Sequence, residues 1–247
     1  MSELAVVTEE VAFPGHTGDW VQGFWARPVG GESHGSVVVI HHMPGYDQET
    51  KEICYRFARH GYAVLMPNLY FREAPDASPD DAAAIARAKG GVPDERLVGD
   101  VGGARQFLLS QPSSNGKVGV IGYCSGGRQS FLAACSLKFD AAVDCYGAFV
   151  VRTPPSDFPL NVQGILSLAP QLSCPLLGLF GGDDKFPSPE EVAELDAELT
   201  RLGKVHDFHS YEGAGHAFFS TGRPAYRPEA AADGWERIFS FYGKELS

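Results

Sequence analysis

The chain has 247 residues, 44% hydrophobic and 21% charged, with a formal net charge of −11. That length and apolar content suffice for a large core and exclude a disordered chain, so one domain spanning residues 1–247 is expected. Thirty-one acids against twenty bases, with no Lys/Arg run, speak against a nucleic-acid partner. The longest apolar runs, such as Tyr62–Met66 and Phe131–Cys135, are five residues against the ~18 of a spanning helix, so no membrane partner is expected.

The acidic start at Met1-Ser2-Glu3 lacks the basic and apolar stretches of a secretory signal, which points to a cytoplasmic address. Cys54, Cys124, Cys135, Cys145 and Cys174 are odd in number and widely spaced, and no Cys-x-x-Cys pair occurs. Reduced thiols are expected rather than a disulfide framework or a zinc ribbon.

Alternating residues over Ala5–Phe13 and Trp20–Arg27 predict an antiparallel hairpin, with Pro14, Gly15 and Gly18 in the turn. From Ser36 onward the rhythm changes. Short Val/Ile/Leu-rich runs predict buried strands at Ser36–His41, Tyr62–Pro67, Lys117–Gly122, Ala141–Tyr146, Leu176–Phe180 and Val205–Tyr211. Helical patterns lie between them at Glu49–His60, Leu97–Ser110, Ser125–Ser136, Pro189–Leu202 and Pro228–Lys244. This alternation predicts an α/β fold, a doubly wound, mostly parallel sheet with helices on both faces. Residues 71–93, with a short Ala-rich helix, and 149–173 follow strand ends, where such folds build ligand crevices, and are candidate pocket walls.

The segment Gly122-Tyr123-Cys124-Ser125-Gly126-Gly127 lies between a strand and a helix. It has the form of a nucleophile elbow, Gly-x-nucleophile-x-Gly, with cysteine in place of serine. The sharp turn needs small neighbours, and the first turn of the following helix aims free N–H groups at the thiol, favouring thiolate. The Ser125 N–H is placed to meet a developing oxyanion. Neither a complete phosphate loop nor a Gly-x-Gly-x-x-Gly at an early strand–helix junction is present.

Downstream, the apolar run from Leu176 ends in Asp183 and Asp184, either of which could orient a histidine, and Gly213-Ala214-Gly215-His216 follows the last strand. The order nucleophile, acid, histidine suits this fold, and His216 is the candidate general base. His16, His34, His60, His206 and His209 sit in turns or strands without a converging motif.

Residues 111–127, with Pro67-Asn68-Leu69-Tyr70, Gly181-Gly182-Asp183-Asp184 and Ala214-Gly215-His216, give a chain that resembles the dienelactone hydrolase (carboxymethylenebutenolidase) family of the α/β-hydrolase fold. The resemblance implies a triad of Cys124, His216 and Asp184, with oxyanion donors at the Met43 and Ser125 N–H groups. Where the family commonly carries a glutamate that pairs with the cysteine, this chain has His42, a candidate to tune the thiol. The arginine expected after His216 to hold a substrate carboxylate is absent, leaving Arg72 and Arg223 as substitutes.

The expected reaction is cleavage of a small ester or lactone through a thioester, without metal or organic cofactor. Tyr46, Arg72, Tyr123, Tyr146, Phe186 and Phe218 are candidate pocket residues. Other readings are a general carboxylesterase or thioesterase of the same fold, a non-catalytic ligand-binding protein, or a thiol redox sensor. A monomer and a homodimer are equally compatible with the sequence.

Overall fold

The computed structural model describes residues 4–30 and 35–247; His34 and the first three residues lie outside them. The hairpin forms from β1 (Val6–Pro14) and β2 (Trp20–Pro28), paired antiparallel from Val6 opposite Pro28 to Pro14 opposite Trp20. The apolar runs form five further strands: β3 (Ser36–Ile40), β4 (Ala63–Pro67), β5 (Val118–Tyr123), β6 (Ala141–Cys145) and β7 (Leu176–Gly181). With β8 (His206–Tyr211) they give the sheet order β1-β2-β4-β3-β5-β6-β7-β8, antiparallel at β1/β2 and β2/β4 and parallel elsewhere.

Every residue of β3, β4, β5, β6 and β7 is buried. Their apolar runs therefore serve two cores, as a parallel sheet covered on both faces requires. On β3, Val38 and Ile40 enter one core, with α3 (Asp94–Leu109), α4 (Ser125–Ser136) and α5 (Pro189–Arg201). Val37 and Val39 enter the other, against α1 (Gln48–Arg59) and α6 (Pro228–Glu245). The Ala-rich helix is α2 (Pro79–Ala88), its N-terminus capped by the Ser78 side chain.

Two strand ends are shorter than the hydropathy pattern suggests. His41 and Tyr146 continue the apolar runs, yet β3 stops at Ile40 and β6 at Cys145. Tyr146 has φ 43°, which no strand residue adopts, and His41 uses its ring to hold the following loop. Both residues turn the chain at the carboxyl end of the sheet. No described helix is long and apolar enough to cross a membrane.

Candidate active site

The elbow is built by close approach. Strand β5 ends at Tyr123, Cys124 turns with φ 59° and ψ −121°, and α4 starts at Ser125. A Cβ on Gly122 would lie 1.9 Å from the Gly126 carbonyl oxygen, and one on Gly126 would lie 2.5 Å from that of Ile40. Neither position admits a side chain. The Cys124 N–H donates to Cys145 O at 3.0 Å, and its own carbonyl accepts from the Gly127 N–H at 3.0 Å, so the strained residue is held from both sides.

His216 and Asp184 come to this turn from the ends of β8 and β7. The Gly182 N–H donates to Tyr211 O at 2.8 Å and the Asp183 N–H to Ala214 O at 2.9 Å, stitching the two loops together. His216 Nδ1 lies 2.8 Å from Asp184 Oδ2, and the Phe186 N–H donates to Asp184 Oδ1 at 3.0 Å. An ionised carboxylate only accepts, so Nδ1 carries the proton and Nε2 is left for the thiol of Cys124, with which His216 is hydrogen-bonded. Asp184 is buried and Asp183 exposed, which separates the two carboxylates the sequence leaves equivalent. Edge-on packing of Tyr146 at 5.1 Å supports the His216 ring.

Among the five thiols, Cys124 alone is shifted toward ionisation. Burial pushes it up, but the hydrogen bond and charge of His216 and the N–H groups of Ser125 and Met43 overcome this and hold it below the usual thiol value. Burial lowers His216, while Asp184 and Cys124 more than reverse that and raise it. Opposite shifts in two bonded groups favour a thiolate–imidazolium pair. Burial moves the other cysteines away from ionisation: Cys135 and Cys174 are pushed up to about 12, and Cys54 and Cys145 further.

The loop after β3 brings the Met43 N–H to the sulfur. Its carbonyl accepts from the Tyr70 hydroxyl at 2.8 Å. Behind it, the Leu69 N–H donates to His41 Nε2 at 3.2 Å, so His41 Nδ1 donates to His42 O at 2.9 Å. Burial lowers His41 to about 4, consistent with this neutral, fixed tautomer. His42 Nε2 bonds Asp47 Oδ2 at 2.6 Å, while Asp47 Oδ1 caps α1 through the Thr50 N–H at 2.9 Å. The imidazole thus closes the loop onto the helix cap. His42, Asp47 and Glu49 offer ligand atoms within 4.8 Å of one another, but the first two already bond each other and the third sits in the first turn of α1, where an acid complements the helix dipole.

The model of the Dienelactone hydrolase family matches residues 21–246. The chain belongs to that family. A carboxymethylenebutenolidase of Pseudomonas putida is 32% identical over 211 residues, covering 83% of this chain and 84% of the relative. A provisionally named carboxymethylenebutenolidase of Salmonella typhimurium is 32% identical over 238 residues, covering 92% and 84%. A crystal structure of a provisionally named dienelactone hydrolase from Klebsiella pneumoniae superposes with a TM-score of 0.84 at 26% identity, covering 97% of this chain and 99% of that one. The eight-stranded arrangement is accordingly the α/β-hydrolase fold, and the chain is a hydrolase of the carboxymethylenebutenolidase type.

In this dienelactone hydrolase family member a cleft of about 470 Å³ opens beside Cys124, Ser125 and His216. Both irregular segments supply walls: Gly91 and Val92 from one, Phe149, Phe158, Leu160 and Val162 from the other. The Asn161 N–H donates to Gly90 O at 2.7 Å and joins them. Phe186 also lines the cleft, as expected.

Several expected pocket residues lie elsewhere. Arg72 forms a bidentate pair with the buried Asp100, at 2.7 and 2.9 Å, with Nε 3.3 Å from Asp19, so its donors are taken by structural partners. Arg223 is exposed and outside the cleft lining. Tyr46 donates to Glu10 at 2.5 Å with Lys51 over its ring. Tyr123, Tyr146 and Phe218 form an aromatic layer with Phe219 under the loop of His216, where they pack rather than face the cleft. The thiol-tuning expectation for His42 is likewise replaced by its bond to Asp47. Tyr70, Phe149 and Phe158 are among the site residues that sequence reading did not single out; Tyr70 stood in a quoted motif, and the two phenylalanines lie in the 149–173 segment expected to wall the pocket.

Proposed function

We propose that the chain hydrolyses a small ester or lactone by two-step acyl transfer on Cys124. The Cys124 thiolate, paired with the His216 imidazolium, attacks the carbonyl carbon, and the N–H groups of Met43 and Ser125 receive the oxyanion. Collapse of the tetrahedral adduct breaks the acyl C–O bond, and the leaving oxygen takes the proton from His216. In a lactone that oxygen stays tethered to the acyl group. His216, now neutral and oriented by Asp184, takes a proton from water as the water attacks the thioester, and the thiolate leaves.

The observation that carries this reading is the continuous chain from Asp184 through His216 to the one thiol of five that is shifted toward ionisation. A thiolate is also a good leaving group, so activated esters and lactones suit it better than amides. A thiol of this kind stays competent in a reducing compartment, consistent with a cytoplasmic setting. The test is rapid mixing with p-nitrophenyl acetate: a nitrophenol burst stoichiometric with enzyme and an acetyl group on Cys124 by mass spectrometry are expected. Unchanged turnover in Cys124→Ala would refute it.

A further inference from the structure

The elbow carries one glycine more than its own turn requires. Gly122 and Gly126 flank Cys124 where a side chain would meet backbone, and Gly127 follows them. A Cβ on Gly127 would fall inside van der Waals contact of Asp144 Oδ1 and lie 2.8 Å from the Cys145 carbonyl oxygen. A Cβ on Gly147 would collide with the same Asp144 oxygen and with the Arg128 backbone nitrogen. Two glycines from separate elements thus make room for one carboxyl group, and the first turn of α4 closes on the end of β6 around it. The Ser130 hydroxyl, 2.8 Å from Gly127 O and 2.7 Å from Val143 O, holds the same seam about one helical turn further on.

Asp144 interrupts the apolar run of β6 and is fully buried. Its Oδ1 accepts from the Gly147 N–H at 2.7 Å, while Oδ2 has no partner. Ionised, it would be a buried charge with one oxygen unpaired, so the neutral acid is the form this site accommodates, and burial pushes it up to about 7. The bond to Gly147 closes a four-residue turn whose two central residues each meet one half of the thiol–imidazole pair. Cys145 O accepts from the Cys124 N–H at 3.0 Å. Tyr146 donates its N–H to Leu179 O at 2.9 Å, and its ring meets His216 edge-on at 5.1 Å. Tyr146 sits at φ 43°, a conformation costly for an aromatic residue that persists only where the surroundings enforce it. Asp144 ties the two ends of that turn.

We propose that Asp144 is a positioning residue for the Cys124–His216 pair, a buried hydrogen-bond acceptor that fixes the turn from Asp144 to Gly147 beneath them. Its own hydrogen bond goes to neither of the two. Through Cys145 O it sets the strained backbone of Cys124, and through the Tyr146 ring it backs His216. One acceptor thereby holds in a common frame two groups that arrive from β5 and from the loop after β8. The reaction served is the acyl transfer proposed above, and the effect on turnover rests on that reading; the effect on the thiol does not. The accepting oxygen matters here and the charge does not, so an amide should replace the carboxyl and a methyl group should not.

The test compares Asp144→Asn with Asp144→Ala by p-nitrophenyl acetate kinetics and by pH titration of the Cys124 thiolate absorbance in the ultraviolet. Asp144→Asn should stay within about threefold of wild type in kcat, with its thiolate titrating as in wild type. Asp144→Ala should lose about tenfold or more in kcat with KM little changed, a loss that a sub-ångström displacement of reacting groups produces. Its thiolate should appear at higher pH, because a weakened bond to His216 stabilises the thiolate less. An unmoved kcat or an unmoved titration in folded Asp144→Ala, or equal effects in the two variants, would overturn the proposal. If Asp144→Ala does not fold, Asp144→Ser, whose hydroxyl sits one bond short of the carboxyl oxygen, takes its place under the same expectations. Loss of fold in both leaves Asp144 a purely structural role and refutes the proposal. If wild type cleaves no ester while the titration moves in Asp144→Ala and not in Asp144→Asn, the acyl-transfer reading fails and the positioning of the thiol stands.

Discussion

His42 Nε2 and Asp47 Oδ2 are joined at 2.6 Å across the loop that carries Met43, and the same Asp47 caps α1 with its other oxygen. The loop that presents the Met43 N–H to the oxyanion in the proposed mechanism is thereby tied to a helix start. Removing an oxyanion donor outright costs ~10²–10³ in kcat, and loosening its support should cost less, about tenfold. His42→Ala and Asp47→Ala are expected to lower kcat by that amount with little change in KM for p-nitrophenyl acetate. His42→Glu would face Asp47 with a second carboxylate and should lower kcat as well; steady-state kinetics check all three.

The two adjacent carboxylates should differ sharply. Asp184→Asn replaces the acceptor of the His216 Nδ1 proton and should cost ~10²–10⁴ in kcat, as loss of the orienting acid does in other triads. Asp183→Asn touches an exposed side chain and should cost far less. Equal losses in the two variants would contradict the bond to Asp184.

The pH dependence has a defined sign. Cys124 is held below the ordinary thiol value of 9.0 and His216 above the ordinary imidazole value of 6.5. Between the two shifted values the pair is thiolate and imidazolium. Lowering the pH through the thiol value protonates the nucleophile, and raising it through the imidazolium value removes the proton owed to the leaving group. A bell-shaped kcat/KM is expected, and Asp184→Asn should shift its alkaline limb down. The acid limb should coincide with loss of thiolate ultraviolet absorbance that is absent in Cys124→Ala.

Asp144 is fully buried at the end of β6, with Oδ1 accepting from the Gly147 N–H at 2.7 Å and Oδ2 unpartnered. Burial pushes it from 3.8 to about 7, against the pull of the Gly147 N–H and the His216 charge. The folded state therefore keeps a proton that the unfolded chain loses near pH 4, and stability falls as pH rises from about 4 to about 7, by ~1.4 kcal/mol for each pH step of one across that window. Asp144→Asn should flatten this slope. Thermal denaturation should show the variant's Tm gaining on wild type above pH 7 and the gain vanishing below pH 4.

Arg72 and Asp100 form a buried structural pair, Asp100 being fully buried. Arg72→Ala leaves that carboxylate without its cation and should destabilise by about 3–5 kcal/mol in urea unfolding. Activity of the fraction that remains folded should change little on neutral esters, because the pair lies outside the cleft lining.

Much of the fold was legible from local pattern alone. Strands β3 to β7 are wholly buried, so each is a mostly apolar run, with Ser36 and Asp144 as the polar exceptions, and the elbow needs glycine at positions where a Cβ has no room. These requirements act within a few residues, and one chain displays them. The elbow that carries Cys124 belongs here too, since strand, turn and helix N-terminus are contiguous in sequence.

Tertiary structure decided what depends on partners brought together from afar. Asp184 rather than Asp183 reaches His216, 32 residues on, because the β7 and β8 loops are stitched in one register. Arg72 looked available until Asp100, 28 residues on, took its donors. His42 turned to Asp47 instead of the thiol, and Phe149, Phe158 and Phe186 came together only when the 149–173 segment met the loop after β7. A side chain's type is written in the sequence, but which neighbour satisfies its charge, hydrogen bonds or ring face depends on long-range geometry.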